Sequence, residues 1–469
     1  MSEGPPEKKA RGEGPATVMV VGSGGREMAQ AVALAKSDKV GRVVVCPGNG
    51  GTGSGAHPKI SNAAIKDTAV EELVAYAKAE GVALVAVGPE APLVLGISDA
   101  MAAAGIPCFG PTKAAAQLEN SKAWMKEFFK RHALPTAKYE TFTDFEAAKA
   151  HVEAIDYPVV VKASGLAGGK GVLIPTTKEE TLAALKTVMV DKAFGAAGDE
   201  CVVEQMLEGP ECSVLAFCDG VTAVCMPGAQ DHKRALDGDQ GLNTGGMGAY
   251  APCPCLTPAL AAQTAYIVKR TVAALASEGT PYVGVLFGGF MLTAEGPMLL
   301  EYNVRMGDPE TQVVLPLLQS DLYEVMLACT RGGLGDGAAV EWADGAATTV
   351  VMAAAGYPQS YKKGAPIKGL AAAGALEGVT VYHAGTKRIV CEAAEGGGAA
   401  ESESESADAP LAAPAEYATS GGRVLAVTGV GADLNEAIAR AYAGVKEITF
   451  ECPEGAHYRT DIAAKATLQ

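Results

Sequence analysis

Apolar runs and polar turns alternate regularly over the first part of the chain. The segments TVMVVGSGGREMAQAVALA (17–35), RVVVCPGNGGT (42–52) and ALVAVGPEAPLVLGISDAMAAAGIPCFGP (83–111) continue one alternation of strand, loop and helix. This alternation is typical of a doubly wound parallel sheet, in which ligands bind at the carboxyl ends of the strands. The loops GSGGRE, CPGNGG and GPEAP are therefore predicted to converge on one pocket.

The first of these loops is predicted to bind an anion. Gly24, Gly25 and Arg26 lie at the start of the predicted helix, where free N–H groups and the helix dipole favour negative charge. Glu27 stands where a dinucleotide fingerprint would need glycine. We expect a phosphate site that does not bind a dinucleotide; the alternative is a purely structural turn.

A glycine-rich run follows an apolar strand in PVVVKASGLAGGKG (158–171), before the chain returns to apolar VLIP. Glycine lets backbone N–H groups approach a phosphate chain closely, and Lys162 and Lys170 add positive charge. A Walker loop needs Ser or Thr after its lysine, but Gly171 follows Lys170. The run predicts a hairpin flap over a nucleoside triphosphate. An exposed glycine turn is the alternative, which Lys162 disfavours because it lies in an apolar strand.

Two further segments carry polar groups that a packed core would not tolerate. AQDHKRALDGDQGLNTGGMGAY (229–250) is a long polar loop, and loops of this length in compact domains are usually functional. In MLLEYNVRMGDPETQ (298–312), the strand period of two places Glu301, Asn303 and Arg305 on one face. Carboxylate and amide oxygens are ligands of Mg²⁺, and arginine clamps carboxylates or phosphates. The alternative is a salt-bridged exposed strand face.

Composition narrows the classes of protein. The chain has 469 residues, enough for three or four units, and a net charge of −16, which opposes nonspecific binding to nucleic acid or anionic lipid. No apolar run reaches the ~18 residues of a membrane span. The 11 cysteines are scattered, with Cys253 and Cys255 the closest pair, and are expected to be reduced intracellular thiols. The six dispersed histidines argue against a zinc site.

The two ends of the chain differ from its centre. Residues 1–16 are polar and rich in proline and glycine, unlike a targeting peptide, and predict a disordered tail. The segments ATTVVMAAAGYP, VTVYHAGTK and GRVLAVTGVGADLNEAIARAYAGVKEI predict a small domain of strands with one amphipathic helix. Residues 392–418, acidic and low in complexity, predict a disordered insert within it.

The motifs GSGGRE, VGPEAPLV, FGP, QDHKR, NTGGMGAY, GDPETQ, HAGT and GGRVL occur in one order from about Val18 to the C terminus. In that order they resemble the ATP-grasp ligases, and specifically the phosphoribosylamine–glycine ligase family. The resemblance implies an α/β chain with an ATP-grasp fold at 121–340, whose flap subdomain covers about 136–205. A Rossmann-like (pre-ATP-grasp) parallel-sheet domain at 17–120 would precede it, and a small mostly-β domain at 341–469 would follow.

The resemblance also implies a reaction. ATP, glycine and 5-phosphoribosylamine would give ADP, phosphate and glycinamide ribonucleotide through glycyl phosphate, in de novo purine (IMP) biosynthesis, with Mg²⁺ or Mn²⁺ as the metal. We expect the monofunctional form, with small molecules as ligands and transient contacts to neighbouring purine-pathway enzymes. The expected location is cytoplasmic, or organellar if a transit peptide has been removed. The alternatives are a sister ATP-grasp carboxylase or a catalytically decayed nucleotide-binding homologue.

The family's site residues are carried over to the matching positions of this sequence. The ATP-contacting positions would be Lys122, Lys162, Ser164, Gly165, Gly168, Gly169, Lys170, Gly171, Glu204, Leu207 and Glu211, with Glu204 and Leu207 at the adenine and Glu211 at the ribose. The metal ligands would be Glu301 and Asn303. The residues around the glycine and acyl phosphate would be Asp231, Lys233, Thr244, Gly245, Gly246, Arg305 and Asp308, of which Asp231, Lys233 and Arg305 are the predicted catalytic set. The residues that hold the ribosyl phosphate would be Gly24, Gly25, Arg26, Asn49 and Glu90.

Three positions depart from the family's pattern. The family generally has histidine where Met28 stands, aspartate where Ser164 stands and proline where Leu242 stands. None of the three changes removes a predicted metal ligand or phosphate-binding lysine, so activity is expected to be retained.

Overall fold

The computed structural model describes residues 14–167, 171–335, 340–389 and 416–467. Residues 1–13, Gly168, Gly169, Lys170 and 390–415 lie outside the described residues, so the predictions for most of the tail, the centre of the glycine-rich run and most of the acidic insert are not tested. At their described ends both disorder predictions are wrong, because Ala16 begins the strand Ala16–Gly22 and residues 416–418 lie in the strand Glu416–Thr419. No described helix combines the length and the apolar character that crossing a membrane requires.

Five parallel strands form the N-terminal sheet. The central strand Ala16–Gly22 pairs with Val40–Pro47 on one side and Leu84–Val87 on the other, and Ile60–Asn62 and Cys108–Phe109 form the edges. Buried valines fill the middle of its inner strands, as continuous apolar runs require. The predicted parallel sheet is confirmed. The helices in this part of the chain are Gly25–Ala35, Val70–Ala79, Glu90–Leu95 and Ile97–Ala103.

A four-stranded antiparallel sheet carries the glycine-rich run. Its strands, in spatial order, are Tyr139–Phe142, Cys201–Gln205, Val159–Ala163 and Val172–Leu173. The helices Phe145–Ala154 and Lys178–Met189 share a hydrophobic core with these strands. The run therefore connects two paired strands, and its described residues lie at one end of this sheet.

A second antiparallel sheet carries Glu211 and Glu301. Its strands are, in spatial order, Ala223–Cys225, Glu211–Asp219, Val283–Thr293 and Gly296–Asn303. Ser213 pairs with Gly289, and Gly289 pairs with Glu301. Ser213 and Glu301 therefore lie at the same level of the sheet, on two strands that have one other strand between them. The helices in this part of the chain are Gln117–Asn120, Lys122–Arg131, Gly195–Gly198, Pro258–Ser277, Thr311–Val314, Leu315–Leu317 and Leu322–Arg331.

The C-terminal sheet is built from two distant parts of the chain. Its strands are, in spatial order, Gln230–Asp231, Gly248–Ala251, Ala346–Ala354, Arg423–Gly431 and Val379–His383, and Ala456–His457 pairs with the end of Ala346–Ala354. The first two strands flank the long polar loop, which is therefore anchored in this sheet.

The other described elements lie around the C-terminal sheet. The strands Thr386–Ile389, Glu416–Thr419, Pro366–Lys368 and Thr449–Phe450 form a small separate sheet. The hairpin strands Arg234–Leu236 and Gln240–Asn243 enclose the short turn Asp237–Asp239. The remaining helices are Leu370–Gly374, Leu434–Glu447 and Ala464–Thr467.

Candidate active site

The end of the strand Gly296–Asn303 brings a carboxylate and an amide together with an arginine. Asn303 Oδ1 accepts a hydrogen bond from Arg305 Nη2 at 3.2 Å. Burial alone would raise the pKa of Glu301, but surrounding cations outweigh it and lower that pKa. The cations are Lys122, Lys162, Lys233 and Arg305. Among the described residues, no hydrogen-bond donor occupies the Glu301 carboxylate, which is partly exposed. Its oxygens are available to an added cation.

Arg305 is fixed from the N-terminal side of the molecule. Its Nε donates to Glu90 Oε2 at 2.9 Å, and its Nη2 lies 3.1 Å from Glu119 Oε1. Glu119 also accepts the backbone N–H of Val304 at 2.7 Å. The guanidinium is therefore held in one orientation. Glu119 was not among the predicted site residues, because a glutamate in a short helix carries no motif of its own.

Two buried lysines share one carboxylate beneath the glycine-rich run. Lys162 Nζ lies 2.6 Å from Glu204 Oε2, and Lys126 Nζ lies 2.7 Å from Glu204 Oε1. Burial lowers the pKa of Lys126 to about 8, against the attraction of Glu204. Glu204, which lies in the strand Cys201–Gln205, was predicted to contact the adenine. Its carboxylate instead contacts the two lysines. Leu207 lies in the connection that follows and is partly exposed.

A second group of charges lies where the sheet carrying Glu211 meets the C-terminal sheet. Lys233 Nζ lies 2.6 Å from Glu211 Oε2, and Lys233 lowers the pKa of Glu211 against burial. Burial would lower the pKa of Lys233, but Asp231, Glu211 and Glu301 outweigh it and raise that pKa. The predicted residues Asp231, Lys233, Glu211 and Glu301 are therefore within electrostatic reach of one another.

Glu310 is a buried carboxyl next to this group and was not predicted. It accepts a hydrogen bond from Ser213 Oγ at 3.2 Å. Burial and the negative charge of Asp231 raise its pKa to about 7. Burial likewise raises the pKa of Asp231. Two carboxyls with raised pKa values, Asp231 and Glu310, therefore lie within electrostatic reach of Lys233.

A cavity of about 390 Å³ lies between the N-terminal loops and the C-terminal part of the chain. Gly24, Asn49 and Asp308 line it, together with Thr386 and Arg423. Asn49 Nδ2 donates to the carbonyls of Ser23 and His383 at 2.9 and 2.8 Å, so this side chain shapes the cavity wall. The predicted convergence of polar loops at this edge is thus seen for the first two loops.

Arg26 and Gly25 are placed differently from Gly24. Arg26 Nε lies 2.6 Å from Glu27 Oε1, its Nη1 donates to the carbonyl of Met306, and its side chain is buried. Glu27 Oε2 also accepts the N–H of Gly24 at 2.6 Å. Gly25 packs so closely that a Cβ there would lie 2.8 Å from the Gln312 side chain. The Glu27 carboxylate therefore occupies part of the helix N-terminus that was predicted to bind an anion.

The loop that contains Thr244, Gly245 and Gly246 is held from two sides. Arg423 Nη1 donates to the carbonyls of Gly245 and Asp308 at 2.6 and 2.7 Å, and its Nη2 lies 3.1 Å from Asp308 Oδ2. Thr244 Oγ1 donates to the carbonyl of Lys233 at 2.9 Å and accepts the Gly246 N–H at 2.9 Å. Arg423 belongs to the GGRVL motif, but the sequence assigned it no role.

The described ends of the glycine-rich run are tied to neighbouring elements. Ser164 Oγ accepts the N–H of Ala123 at 3.1 Å and donates to Glu200 Oε2 at 3.1 Å, and its carbonyl accepts the N–H of Lys122 at 2.8 Å. Gly165 N–H donates to the carbonyl of Ala197, and the Gly171 carbonyl accepts from Ala163. Lys122 is thereby placed beside the run and within reach of Glu301.

The two other departures from the family pattern lie outside this charged region. Met28 Sδ accepts the backbone N–H of His383 at 2.9 Å and packs against a small apolar cluster. Leu242 is 51% exposed on the hairpin strand Gln240–Asn243. Met28 therefore satisfies the backbone donor of His383, the residue before Ala384 in the cavity wall.

Comparison with known proteins covers nearly the whole chain. The family descriptions "Phosphoribosylglycinamide synthetase, N domain", "ATP-grasp (A) domain" and "C domain" match residues 16–119, 120–311 and 347–465. The chain is 45% identical over 451 residues to the phosphoribosylamine–glycine ligase of Chlorobaculum tepidum, covering 96% of this chain and 99% of that protein. A crystal structure of the phosphoribosylamine–glycine ligase from Thermotoga maritima superposes with a TM-score of 0.78 at 31% identity, covering 96% of this chain and 100% of that one.

The chain also matches longer proteins. It is 47% identical over 451 residues to the trifunctional purine biosynthetic protein adenosine-3 of Gallus gallus, and the match covers 96% of this chain but 42% of that protein. The chain thus spans less than half the length of this relative, and the sequence and fold resemblances agree throughout the matched part. The chain belongs to the phosphoribosylglycinamide synthetase family.

Proposed function

We propose that the chain is a phosphoribosylamine–glycine ligase of purine biosynthesis, which joins glycine to 5-phosphoribosylamine with conversion of ATP to ADP and phosphate. One observation carries the proposal: the carboxylate of Glu301, on the strand that ends at Asn303, lies within electrostatic reach of Lys122, Lys162, Lys233 and Arg305, and Arg305 also contacts Asn303. Family membership supplies the substrates.

In the proposed reaction, a glycine carboxylate oxygen attacks the γ-phosphorus of ATP, and the bond to ADP breaks. The amine of phosphoribosylamine then attacks the acyl carbon of glycyl phosphate; phosphate leaves and the nitrogen loses a proton. Neither step needs a protein nucleophile, because alignment of two anions and stabilisation of developing charge supply the rate enhancement.

The charged residues take roles that fit their positions. Lys122 and Lys162 hold the phosphates. Ser164, Gly165 and Gly171, the described ends of the glycine-rich run, support the run over these phosphates. Arg305 clamps the reacting anion, since Glu90 and Glu119 fix its guanidinium. Asp231 and Lys233 lie near the glycine and acyl phosphate, where Lys233 stabilises negative charge. Gly24, Asn49 and Asp308 line the cavity that receives the phosphoribosyl group.

The donor set fits a divalent cation. The Glu301 carboxylate and the Asn303 amide oxygen are hard ligands of the kind that Mg²⁺ or Mn²⁺ takes, and the carboxylate is ionised and open. These two residues would hold the metal, which would supply charge neutralisation of the ATP phosphates.

We also propose that the chain divides functionally at about residues 120 and 340. The matches to the three family domains support this division. The pairing of Gly248–Ala251 with Ala346–Ala354 joins the second and third parts, so neither is expected to work alone.

The test is ADP release in the presence of Mg²⁺ with two sets of substrates. With glycine and phosphoribosylamine, ADP and glycinamide ribonucleotide should form in equal amounts. With bicarbonate and an aminoimidazole ribotide, the substrates of a sister carboxylase, release should stay at background. ADP release that does not depend on glycine would contradict the proposal.

A further inference from the structure

Three cysteine thiols meet outside the candidate active site. Cys212 lies in the strand Glu211–Asp219, and Cys253 and Cys255 lie between the strand Gly248–Ala251 and the helix Pro258–Ser277. The three sulfur atoms lie within 4.8 Å of one another. Sγ of Cys253 lies 2.7 Å from Sγ of Cys255. Because side chains alternate along a strand, Cys212 faces away from Glu211 and Ser213, which contact the candidate site.

The distance between the sulfur atoms of Cys253 and Cys255 distinguishes plain packing, a shared metal ion and a disulfide bond. Non-bonded carbon atoms in contact lie roughly 3.5–4.0 Å apart, and sulfur is larger, so plain packing would separate the two sulfurs further. Sulfurs that share a tetrahedral ion with bonds of ~2.3 Å lie about 3.8 Å apart. A disulfide has a bond of about 2.05 Å. The observed 2.7 Å is nearest to the disulfide.

The surroundings make the pair reactive and accessible. Hydrogen bonding from Cys212 and then from Cys255 lowers the pKa of Cys253 against the effect of burial. The thiolate is the form of cysteine that reacts with oxidants. Cys255 is partly exposed, and the prolines on either side of Cys253, Pro252 and Pro254, are exposed. Cys253 itself is buried, so a molecule as small as hydrogen peroxide would reach its sulfur past Cys255 and the exposed prolines.

We propose that Cys253 and Cys255 form a reversible oxidation site, which hydrogen peroxide converts into an intramolecular disulfide. The thiolate of Cys253 attacks one peroxide oxygen, the O–O bond breaks, and a proton taken up from solvent releases one water and leaves a sulfenic acid. The sulfur of Cys255 attacks that sulfenic sulfur; the S–O bond breaks, the S–S bond forms, and the thiol proton leaves with the second water. A dithiol reductant reverses the change by exchange.

The small size of the ring that the Cys253–Cys255 disulfide would close favours its reduction. Only Pro254 separates the two cysteines, so the disulfide closes a loop of minimal size. Such a loop gives little entropic stabilisation, and exposed or constrained disulfides are the ones that reductants open readily. The pair is therefore suited to repeated oxidation and reduction and poorly suited to a permanent crosslink.

The sequence allows a direct readout on the full chain. Trypsin places Cys253 and Cys255 together on the peptide 235–269, which contains no other cysteine. Reduced protein is treated with increasing peroxide, quenched with N-ethylmaleimide and digested. We expect this peptide to lose both maleimide adducts and to become lighter by two hydrogens than the unlabelled reduced peptide. Dithiothreitol added before quenching should restore both adducts.

Cys452 is the matched internal control. It is partly exposed, lies outside the cluster and is the only cysteine of the tryptic peptide 447–459. It should keep its adduct at the peroxide dose that closes the pair, and Cys452→Ser should leave closure unchanged, whereas Cys255→Ser should abolish it. Oxidation of Cys452 before the pair, or addition of oxygen to peptide 235–269 without a dithiothreitol-reversible loss of two hydrogens, would overturn the proposal. Both of these overturning results are read on the unmodified chain, so a folding defect in a variant cannot imitate them.

Discussion

Lys162 Nζ lies 2.6 Å from the carboxylate of Glu204, with both side chains almost fully buried. Lys126 contacts the other oxygen of the same carboxylate at 2.7 Å and is completely buried. Two cations thus share one anion in a region where an unpaired charge is expensive. The two lysines carry one more charge than Glu204 neutralises, and Lys162 lies in the strand Val159–Ala163, which leads into the glycine-rich run. This excess positive charge supports the proposed phosphate-binding role of the run.

The first prediction concerns this carboxylate. Glu204→Gln should lower the free energy of unfolding by about 3–5 kcal/mol, because it leaves two buried lysines without a counter-charge. Urea denaturation measures the change. The control is Glu208→Gln, an exposed glutamate in the adjoining connection, for which we expect a change within about 0.5 kcal/mol. Equal effects of the two substitutions would show that the lysine pair does not depend on Glu204.

The second prediction tests the proposed metal ligand. Glu301→Ala should abolish ADP formation while leaving the circular dichroism spectrum and the urea midpoint close to those of the natural chain. The carboxylate is partly exposed, and Lys162, Lys233 and Arg305 keep other carboxylate partners. Glu295→Ala, in the exposed turn of the same hairpin, should keep full activity. Normal turnover by Glu301→Ala would exclude Glu301 from the reaction.

The sequence pattern predicted the structure correctly where the structure depends on residues that are close in sequence. Continuous apolar strands separated by loops and helices specify a parallel sheet because both faces of such a sheet are covered. The period of a strand places Glu301 and Asn303 on one face of Gly296–Asn303, but the strand ends at Asn303. Arg305, predicted on the same strand face, lies in the bend that follows, and its Nη2 reaches Asn303 Oδ1 at 3.2 Å from there. The family resemblance located the ATP-grasp fold for the same reason, since its motifs are short and contiguous.

The parts that sequence did not reveal depend on distant partners. Arg423 binds the carbonyl of Gly245 across 178 positions, and Glu119 reaches Val304 across 185, and nothing near either residue marks its partner. Arg26 shows the converse. Its place at a helix start suggests an anion ligand, but the neighbouring carboxylate of Glu27 engages it. The general preference of helix N-termini for anions does not predict whether a side chain of the same chain, here Glu27, already contacts the free N–H groups.

The third prediction concerns pH. The pKa of Glu310 is raised to about 7, from 4.5 for an unperturbed glutamate, by burial and by Asp231. The native state therefore binds this proton more tightly than the unfolded state does. The stability contributed by the neutral carboxyl is complete below about pH 4.5 and is lost as the pH rises through about 7.

Glu310→Gln keeps the shape of the side chain and an acceptor for Ser213 but cannot ionise. It should exceed the natural chain in free energy of unfolding by up to about 3 kcal/mol at pH 8, at about 1.4 kcal/mol for each unit of pKa difference, and should match it near pH 4. Urea titrations at the two pH values measure this. Exposed Glu451→Gln should show no such dependence. The same advantage at both pH values would mean that Glu310 does not titrate in the native state over this range.

The last prediction concerns Ser164, where the family resemblance leads us to expect aspartate. Ser164 Oγ donates to Glu200 at 3.1 Å and accepts from Ala123 at 3.1 Å. Aspartate could still accept from Ala123, but it would place a second carboxylate against Glu200. Ser164→Asp should therefore lower the free energy of unfolding. Glu200→Gln alone should have little effect, because its amide oxygen can still accept from Ser164.

In the double variant, the amide that Glu200→Gln introduces can donate to the carboxylate that Ser164→Asp introduces, so the combination should recover most of the loss. A double-mutant cycle by urea denaturation should give a favourable coupling free energy of about 0.5–3 kcal/mol, as for residues in direct contact. Ser164→Ala is the control, since it removes the acceptor for Ala123 without adding charge and should gain nothing from Glu200→Gln. Additive effects of Ser164→Asp and Glu200→Gln would show that the two side chains do not interact. A favourable coupling would mean that the pair of positions accommodates one carboxylate, at either 164 or 200, but not two.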